Sequence, residues 1–143
     1  MADNPSSPVT VLSSARSWDL LASQRLGRVF FPVDGRPEIF PVNYIVDGET
    51  LVFRTAEGTK LDSASRSQQV AFEVDTWDIE HGYSVVARGT ATPITDPAEI
   101  AHVETLKLKP WVPTAKTTFV RIAVSDITGR RFAFGPDPIG KYR

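Results

Sequence analysis

The chain has 143 residues, a length suited to one domain with a single core, and its 41% hydrophobic and 23% charged residues are ordinary for a folded globular protein. A formal net charge of −1 excludes the basic excess of a nucleic-acid binder, and no apolar run approaches the ~18 residues of a membrane-spanning helix. The absence of cysteine excludes disulfides, thiolate metal sites and a cysteine nucleophile.

Residues 1–12 begin with the polar, proline-bearing MADNPSSP and read as a flexible segment ahead of a single domain over 13–143. That opening lacks the basic and apolar regions of a secretory leader, so a cytoplasmic location is expected. From Ser14 to Arg25, Trp18, Leu21 and Ala22 recur at helical spacing. This predicts a short amphipathic helix ended by Gly27, with Trp18 as a core anchor. Three strand-like runs follow, Arg28–Val33, Ile39–Val46 and Glu49–Thr55, separated by Asp34-Gly35 and Asp47-Gly48, two hairpin turns of the same type. Together they read as a meander of antiparallel strands. Pro41 has no N–H to offer a neighbour, which predicts an edge or a bulge inside the second run.

The third run leads into a candidate anion site. Leu51, Phe53 and Thr55 share one face of the strand and Val52 and Arg54 the other. The chain then turns at Gly58 and opens a helix at Thr59, where Thr59 and Asp62 have roughly the spacing of a capping box. A helix N-terminus presents unpaired N–H groups, and Arg54 and Lys60 flank the turn, so two cations can converge on a phosphate. The competing reading is a pair of solvated surface cations; the spacing is neither a Walker motif nor a dinucleotide fingerprint.

Farther along, Val70–Thr76 alternates, with Val70, Phe72 and Val74 facing one way. Tyr83–Thr92 is a long strand with Ser84 and Arg88 on one face and Val85 and Ala87 on the other. Asp96-Pro97-Ala98-Glu99 supplies an N-cap, a proline at the first helical position and an early acid, predicting a helix to Leu106. Pro110-Trp111-Val112-Pro113 reads as a rigid loop, Thr117–Val124 as the last long strand, and Gly129–Arg143 as a tail packed across the surface. Six antiparallel strands leave exposed edges unless the sheet closes, so a small barrel with short helices is expected.

Six segments in this order carry a resemblance: LASQRLGRV (21–29), PVNY (41–44), FRTAEGTK (53–60), VAFEVD (70–75), YSVVARG (83–89) and ITGRR (127–131). Over residues 15–132 the chain resembles the pyridoxamine 5'-phosphate oxidase-like family of FMN-binding split β-barrel flavoproteins, which includes flavin- and deazaflavin-dependent oxidoreductases. The resemblance implies a mainly β, six-stranded antiparallel split barrel and a homodimer with flavin in grooves between subunits. It implies that Arg54, Thr55, Gly58, Thr59 and Lys60 hold the phosphate and that Pro41, Val42, Asn43 and Tyr44 lie along the isoalloxazine. Ser84 and Arg88 either reach the cofactor or cover the barrel surface. Trp111 either stacks on flavin from the partner subunit or packs in a core or dimer contact. Arg130 and Arg131 either meet phosphate across the dimer or form a solvated pair, and Trp77 reads as a packing or surface residue.

The remaining chemistry offers little competition. His81, in a turn, and His102, on a helix, stand at no metal-ligand spacing and read as solvated. No serine-triad motif is present, and Asp75 and Asp78 form no evident acid–base pair. A flavin performs hydride transfer itself, so a missing catalytic dyad is compatible with redox chemistry. The expected function is an FMN-dependent oxidoreductase acting on a small organic molecule. The alternatives are a deazaflavin-dependent reductase using the same groove and a non-catalytic module that binds or stores flavin. Pyridoxamine phosphate oxidation itself is not expected, because no second anion site is evident and the extended C-terminal segment of such oxidases is missing.

Overall fold

Alternating apolar residues bend six strands into a ring. In the computed structural model, which describes residues 7–56, 67–108 and 117–136, these are β2 (Leu26–Val33), β3 (Arg36–Asp47), β4 (Thr50–Ala56), β5 (Gln68–Trp77), β6 (His81–Pro93) and β7 (Thr117–Ala133). They pair antiparallel in the cyclic order β7-β4-β3-β2-β5-β6-β7, which is the expected split barrel. The expected helix after Thr59 and the Pro110–Pro113 loop lie outside the described residues.

Closure depends on β7. One edge runs along β6 from Val120 to Ala133, while the other takes β4 from Thr117 to Ala123. Farther on, that second edge takes β1 (Val9–Leu12), which pairs with Gly129–Phe132. Two expectations are corrected here. Residues 9–12 form a strand within the segment read as flexible, and the last strand runs nine residues past Val124, to Ala133, absorbing the start of the expected tail.

The inward positions are the alternating ones: Val29 and Phe31, Leu51 and Phe53, Val70, Phe72 and Val74, Val85 and Ala87, Val120 and Ile122 are all buried. Burial of each large side chain is worth ~1.5–3 kcal/mol, so this ring of residues carries most of the stability. Helix α1 (Ser14–Ser23) closes the barrel with Leu20 and Leu21, and Trp18 packs against the same core. Ser13 caps it by accepting from the Arg16 N–H at 3.1 Å. Helix α2 (Pro97–Glu104) starts where expected, with Asp96 accepting from the Glu99 N–H at 3.2 Å. It covers the outer face of β4, where Val103 packs with Val52 and Ile94 in a second, smaller cluster.

The Asp34-Gly35 turn has positive φ at both residues, 52° and 77°, as a tight primed hairpin requires. The next turn differs in register: Asp47 pairs with Thr50, so Gly48 and Glu49 form the loop and only Gly48 has positive φ. Helix α1 ends at Ser23, before the expected Arg25, and Gly27 does not cap it. Gly27 sits inside β2, where a Cβ would lie 2.1 Å from Cζ of Phe72, a ring with no exposed surface. The glycine is required by close packing. Replacing Gly27 with Ala is expected to lower the unfolding free energy by ~1–3 kcal/mol, seen as a lower urea midpoint; an unchanged midpoint would mean that the Phe72 ring can yield.

Candidate functional site

Strand β3 is twelve residues long, yet β4 pairs with it only from Tyr44 to Asp47. Residues 36–43 therefore leave one edge open on the β4 side among the described residues, and this gap is the split in the barrel. The Tyr44 N–H donates to the Arg25 carbonyl on the β2 side at 3.0 Å. Strand alternation then turns the main-chain groups of Ile39, Pro41 and Asn43 toward the open edge. Pro41 pairs with Arg28 across β2 and sacrifices no ladder bond, as expected of an edge proline. Among the described residues, that edge presents the N–H of Ile39 and the carbonyls of Ile39 and Pro41.

The four ring-contact candidates on β3 have different environments. Pro41 is exposed, Val42 packs against the core, and the Asn43 side-chain amide donates to the Arg25 carbonyl at 3.4 Å. The Tyr44 side chain belongs to the core. Its ring is 3% exposed and meets Phe72 edge-on at 4.8 Å, and its hydroxyl donates to the Leu21 carbonyl. Burial pushes the phenol above its ordinary range, so it stays protonated as a donor.

On β4, Arg54 points outward, with its guanidinium carbon 5.4 Å from the centre of the Phe119 ring, a cation–π contact that fixes its base at the strand end. Thr55 faces inward and is buried, its hydroxyl donating to the Thr118 carbonyl at 3.5 Å. Gly58, Thr59, Lys60 and Trp111 lie outside the described residues.

Ser84 and Arg88 share the outward face of β6, as expected, but lie far from Arg54. Ser84 stands opposite Asp75 and Arg130; Arg88 stands opposite Ala71 and Asp126. Along β7, Arg54 is opposite Phe119 and Arg88 opposite Asp126. Seven residues at ~3.3 Å each put roughly 23 Å between them, so one chain does not bring these two cations together. Between the two groups, Arg28 binds Glu73 at 3.1 Å and Asp75 at 3.3 Å, and Glu73 is pushed upward by burial and by the neighbouring Asp75. Arg131 donates to the Thr10 hydroxyl on β1 at 3.5 Å, and Trp77 is a surface residue, 75% exposed.

A cluster absent from the sequence reading joins the β3–β4 turn, β7 and α2. Arg121 donates to Asp47 at 2.8 Å, Glu99 at 2.8 Å and the Thr50 hydroxyl at 2.7 Å. His102, expected to be solvated, lies 3.1 Å from Asp47, whereas His81 opens β6, 4.0 Å from Asp78. The Arg121 hydrogen bond, the largest influence, holds the Asp47 carboxyl below its ordinary range. Strand alternation marks Arg121 as outward-facing, but its partners 22 to 74 residues away in sequence are set only by the fold. No group of three metal-binding side chains occurs among the described residues, and none of their helices is long and apolar enough to cross a membrane.

The order of strands, the split at β3 and the outward Arg54 can now be set beside known proteins. A family model described as pyridoxamine 5'-phosphate oxidase matches residues 13–131. The chain belongs to this family. It is similar to a solved structure from Corynebacterium glutamicum, at 43% identity over 89% of this chain and all of that one, with a TM-score of 0.82. A Mycobacterium smegmatis structure described as an FAD binding protein is 49% identical over 88% of this chain and all of its own, with a TM-score of 0.78. The uncharacterized protein Rv3129 of Mycobacterium tuberculosis is 44% identical over 94 residues, 66% of this chain and 86% of its own length.

Two substitutions test these environments. Tyr44→Phe removes the hydroxyl donor to the Leu21 carbonyl, which keeps the Gln24 N–H at 3.3 Å, and is expected to cost ~0.5–1.5 kcal/mol of stability while leaving ligand affinity unchanged. An affinity loss without a stability loss would return Tyr44 to the site. Asp47→Asn is expected to cost roughly 1–3 kcal/mol at pH 7. Because the folded carboxyl titrates below its unfolded value of about 3.9, its stabilisation is complete above that pH and disappears as pH falls through the folded value. Urea midpoints of wild type and variant should therefore converge in strong acid and stay apart at neutral pH.

Proposed function

We propose that this chain binds a flavin nucleotide, with its phosphate at the C-terminal end of β4 and its isoalloxazine along the open edge of β3, and that it acts as an oxidoreductase on a small organic molecule. The observation that carries this reading is the edge of β3 around Ile39 and Pro41, which no described strand pairs, beside the outward Arg54. The ring of a flavin needs both donors and acceptors along one side, and the Ile39–Pro41 edge offers an N–H and carbonyls together. Arg54, braced on Phe119, supplies a positive charge for phosphate, and Lys60, Thr59 and Gly58 complete the anion site in this reading, beyond the inward-facing Thr55. The M. smegmatis relative supports a flavin, and its description favours FAD over FMN, two nucleotides sharing the ring, ribityl chain and first phosphate.

A bound flavin supplies hydride or electron acceptance, so the protein needs no nucleophile of its own. The chain's residues position the ring, neutralise the phosphate and limit water at the β3 edge. A homodimer completes the site: the Ser84 face lies too far from Arg54 within one chain, so it serves the flavin of a second copy, where Trp111 also contributes an aromatic surface. Light scattering on the purified protein is expected to give twice the chain mass.

The decisive experiment is an absorption spectrum from about 300 to 550 nm, with released cofactor identified, followed by titration of FMN, FAD and a deazaflavin into stripped protein. A retained or tightly titrated flavin that a nicotinamide donor reduces and an acceptor reoxidises supports the proposal. A deazaflavin preference redirects it to a reductase with a dissociable coenzyme, and a flavin that no donor reduces indicates a binding module. Arg54→Ala is expected to weaken flavin binding by roughly 1.5–3 kcal/mol, about 10- to 150-fold, and unchanged affinity would refute the phosphate assignment.

A further inference from the structure

A cleft of about 450 Å³ opens on the outer surface where β2 and β5 part. The two strands pair at only three positions, Arg28–Glu73, Val29–Phe72 and Phe30–Ala71. The second position beyond is Pro32, which lacks the N–H a continuing ladder uses. Yet β2 stays with β3 as far as Val33–Arg36, and β5 stays with β6 as far as Gln68–Ala91. The two hairpins therefore splay, and the wedge between them is a fixed consequence of strand register.

The wedge is chemically lopsided. Phe31 and Val70, 3% and 6% exposed, form its floor, and Phe40 stacks on Phe31 at 5.3 Å and holds that ring in place. Phe30, Pro32, Pro37 and Ala71 form flat apolar walls, with Gln69 and Arg88 at the rim. Among the described residues lining the cleft, Arg88 is the one ionisable group. Its Nη1 donates to Asp126 at 3.2 Å, but both side chains are more than half exposed, and such a pair is weak. A guanidinium has five N–H donors, and this bond occupies one.

We propose that this cleft is a second binding site, for a flat apolar molecule carrying one anionic group, such as an aromatic carboxylate. The ring lies between Phe30, Pro32 and Ala71 above Phe31, and the carboxylate meets the remaining donors of Arg88. The volume falls in the range of small-molecule sites, and partial desolvation by the apolar walls strengthens a charge-assisted contact relative to the open Asp126 pair. The inference rests on the described geometry of β2, β3, β5 and β6 and stands if the flavin assignment fails; where that assignment holds, Arg88 shares the face that meets the second copy's flavin, so the titration uses flavin-free protein.

The test is a titration of flavin-free protein with 2-naphthoate and with its neutral analogue 2-naphthalenemethanol, followed by the methyl signals of Ala71 and Val70. Saturable shifts at both residues are expected, with the acid binding roughly tenfold tighter than the alcohol, the scale of one hydrogen bond to a charged group. Arg88→Gln should bring the acid to the affinity of the alcohol and leave the alcohol unchanged. Ala71→Phe should abolish binding of both, while unshifted Val52 and Val103 methyls show that each variant is folded. Equal affinities in wild type, shifts confined to other methyls, or no binding at concentrations on the order of 1 mM would overturn the proposal, including the case in which a second copy fills the cleft. Arg54→Ala separates the two sites: it should weaken flavin and leave naphthoate binding intact.

Discussion

The two-sided pairing of β7 is the constraint on which the rest of the structure depends. A six-stranded sheet of this size closes only if one strand is long enough to meet both ends of the chain of hairpins, and β7 does so over seventeen residues. Its first seven residues bind β4 on one edge, and from Val120 to its end at Ala133 it binds β6 on the other. The core side chains then have an interior to fill. The same strand anchors the additions outside the barrel: β1 takes its free edge, and Arg121 ties α2 and the β3–β4 turn to its outer face.

Closure at β7 also determines where the barrel is left open. Among the described residues, β4 pairs with β7 along its whole length but meets only the last four residues of β3. On the other side of β3, β2 is held for its full length by one hairpin while its pairing to β5 stops at Phe30. The two gaps have a common origin in hairpins of unequal length. One exposes main-chain hydrogen-bonding groups beside a cation, suited to a polar ring and a phosphate. The other exposes side chains, suited to an apolar ring.

Much of this was legible in the sequence where local pattern and final packing agree. The alternation of Val70, Phe72 and Val74, the Asp34-Gly35 turn and the capped start of α2 each follow from neighbours a few residues apart, and each stands in the structure as expected. The second half of β7 was not legible: Ser125, Asp126 and Gly129 are poor strand formers and are held by β6, with β1 joining at Gly129. Gly27 looked like a helix stop because the Phe72 ring it accommodates is 45 residues away. The resemblance set Tyr44 along the ring but carried nothing about which way its side chain faces, and strand parity turns it inward. The separation of Arg88 from Arg54 depends on register along β7, which no local signal carries.

The open edge of β3 has one more consequence. Unpaired strand edges recruit other extended chains, and a row of free N–H and carbonyl groups invites that pairing. Among the described residues on this edge, Pro37, Ile39 and Pro41 face outward, so two of the three donors are missing. An incoming strand would find a broken ladder, with pyrrolidine rings where hydrogen bonds should form. A small molecule needing only one or two contacts meets no such obstacle. The edge is thereby selective by size: the prolines guard against polymerisation through β3 while leaving it open to ligands.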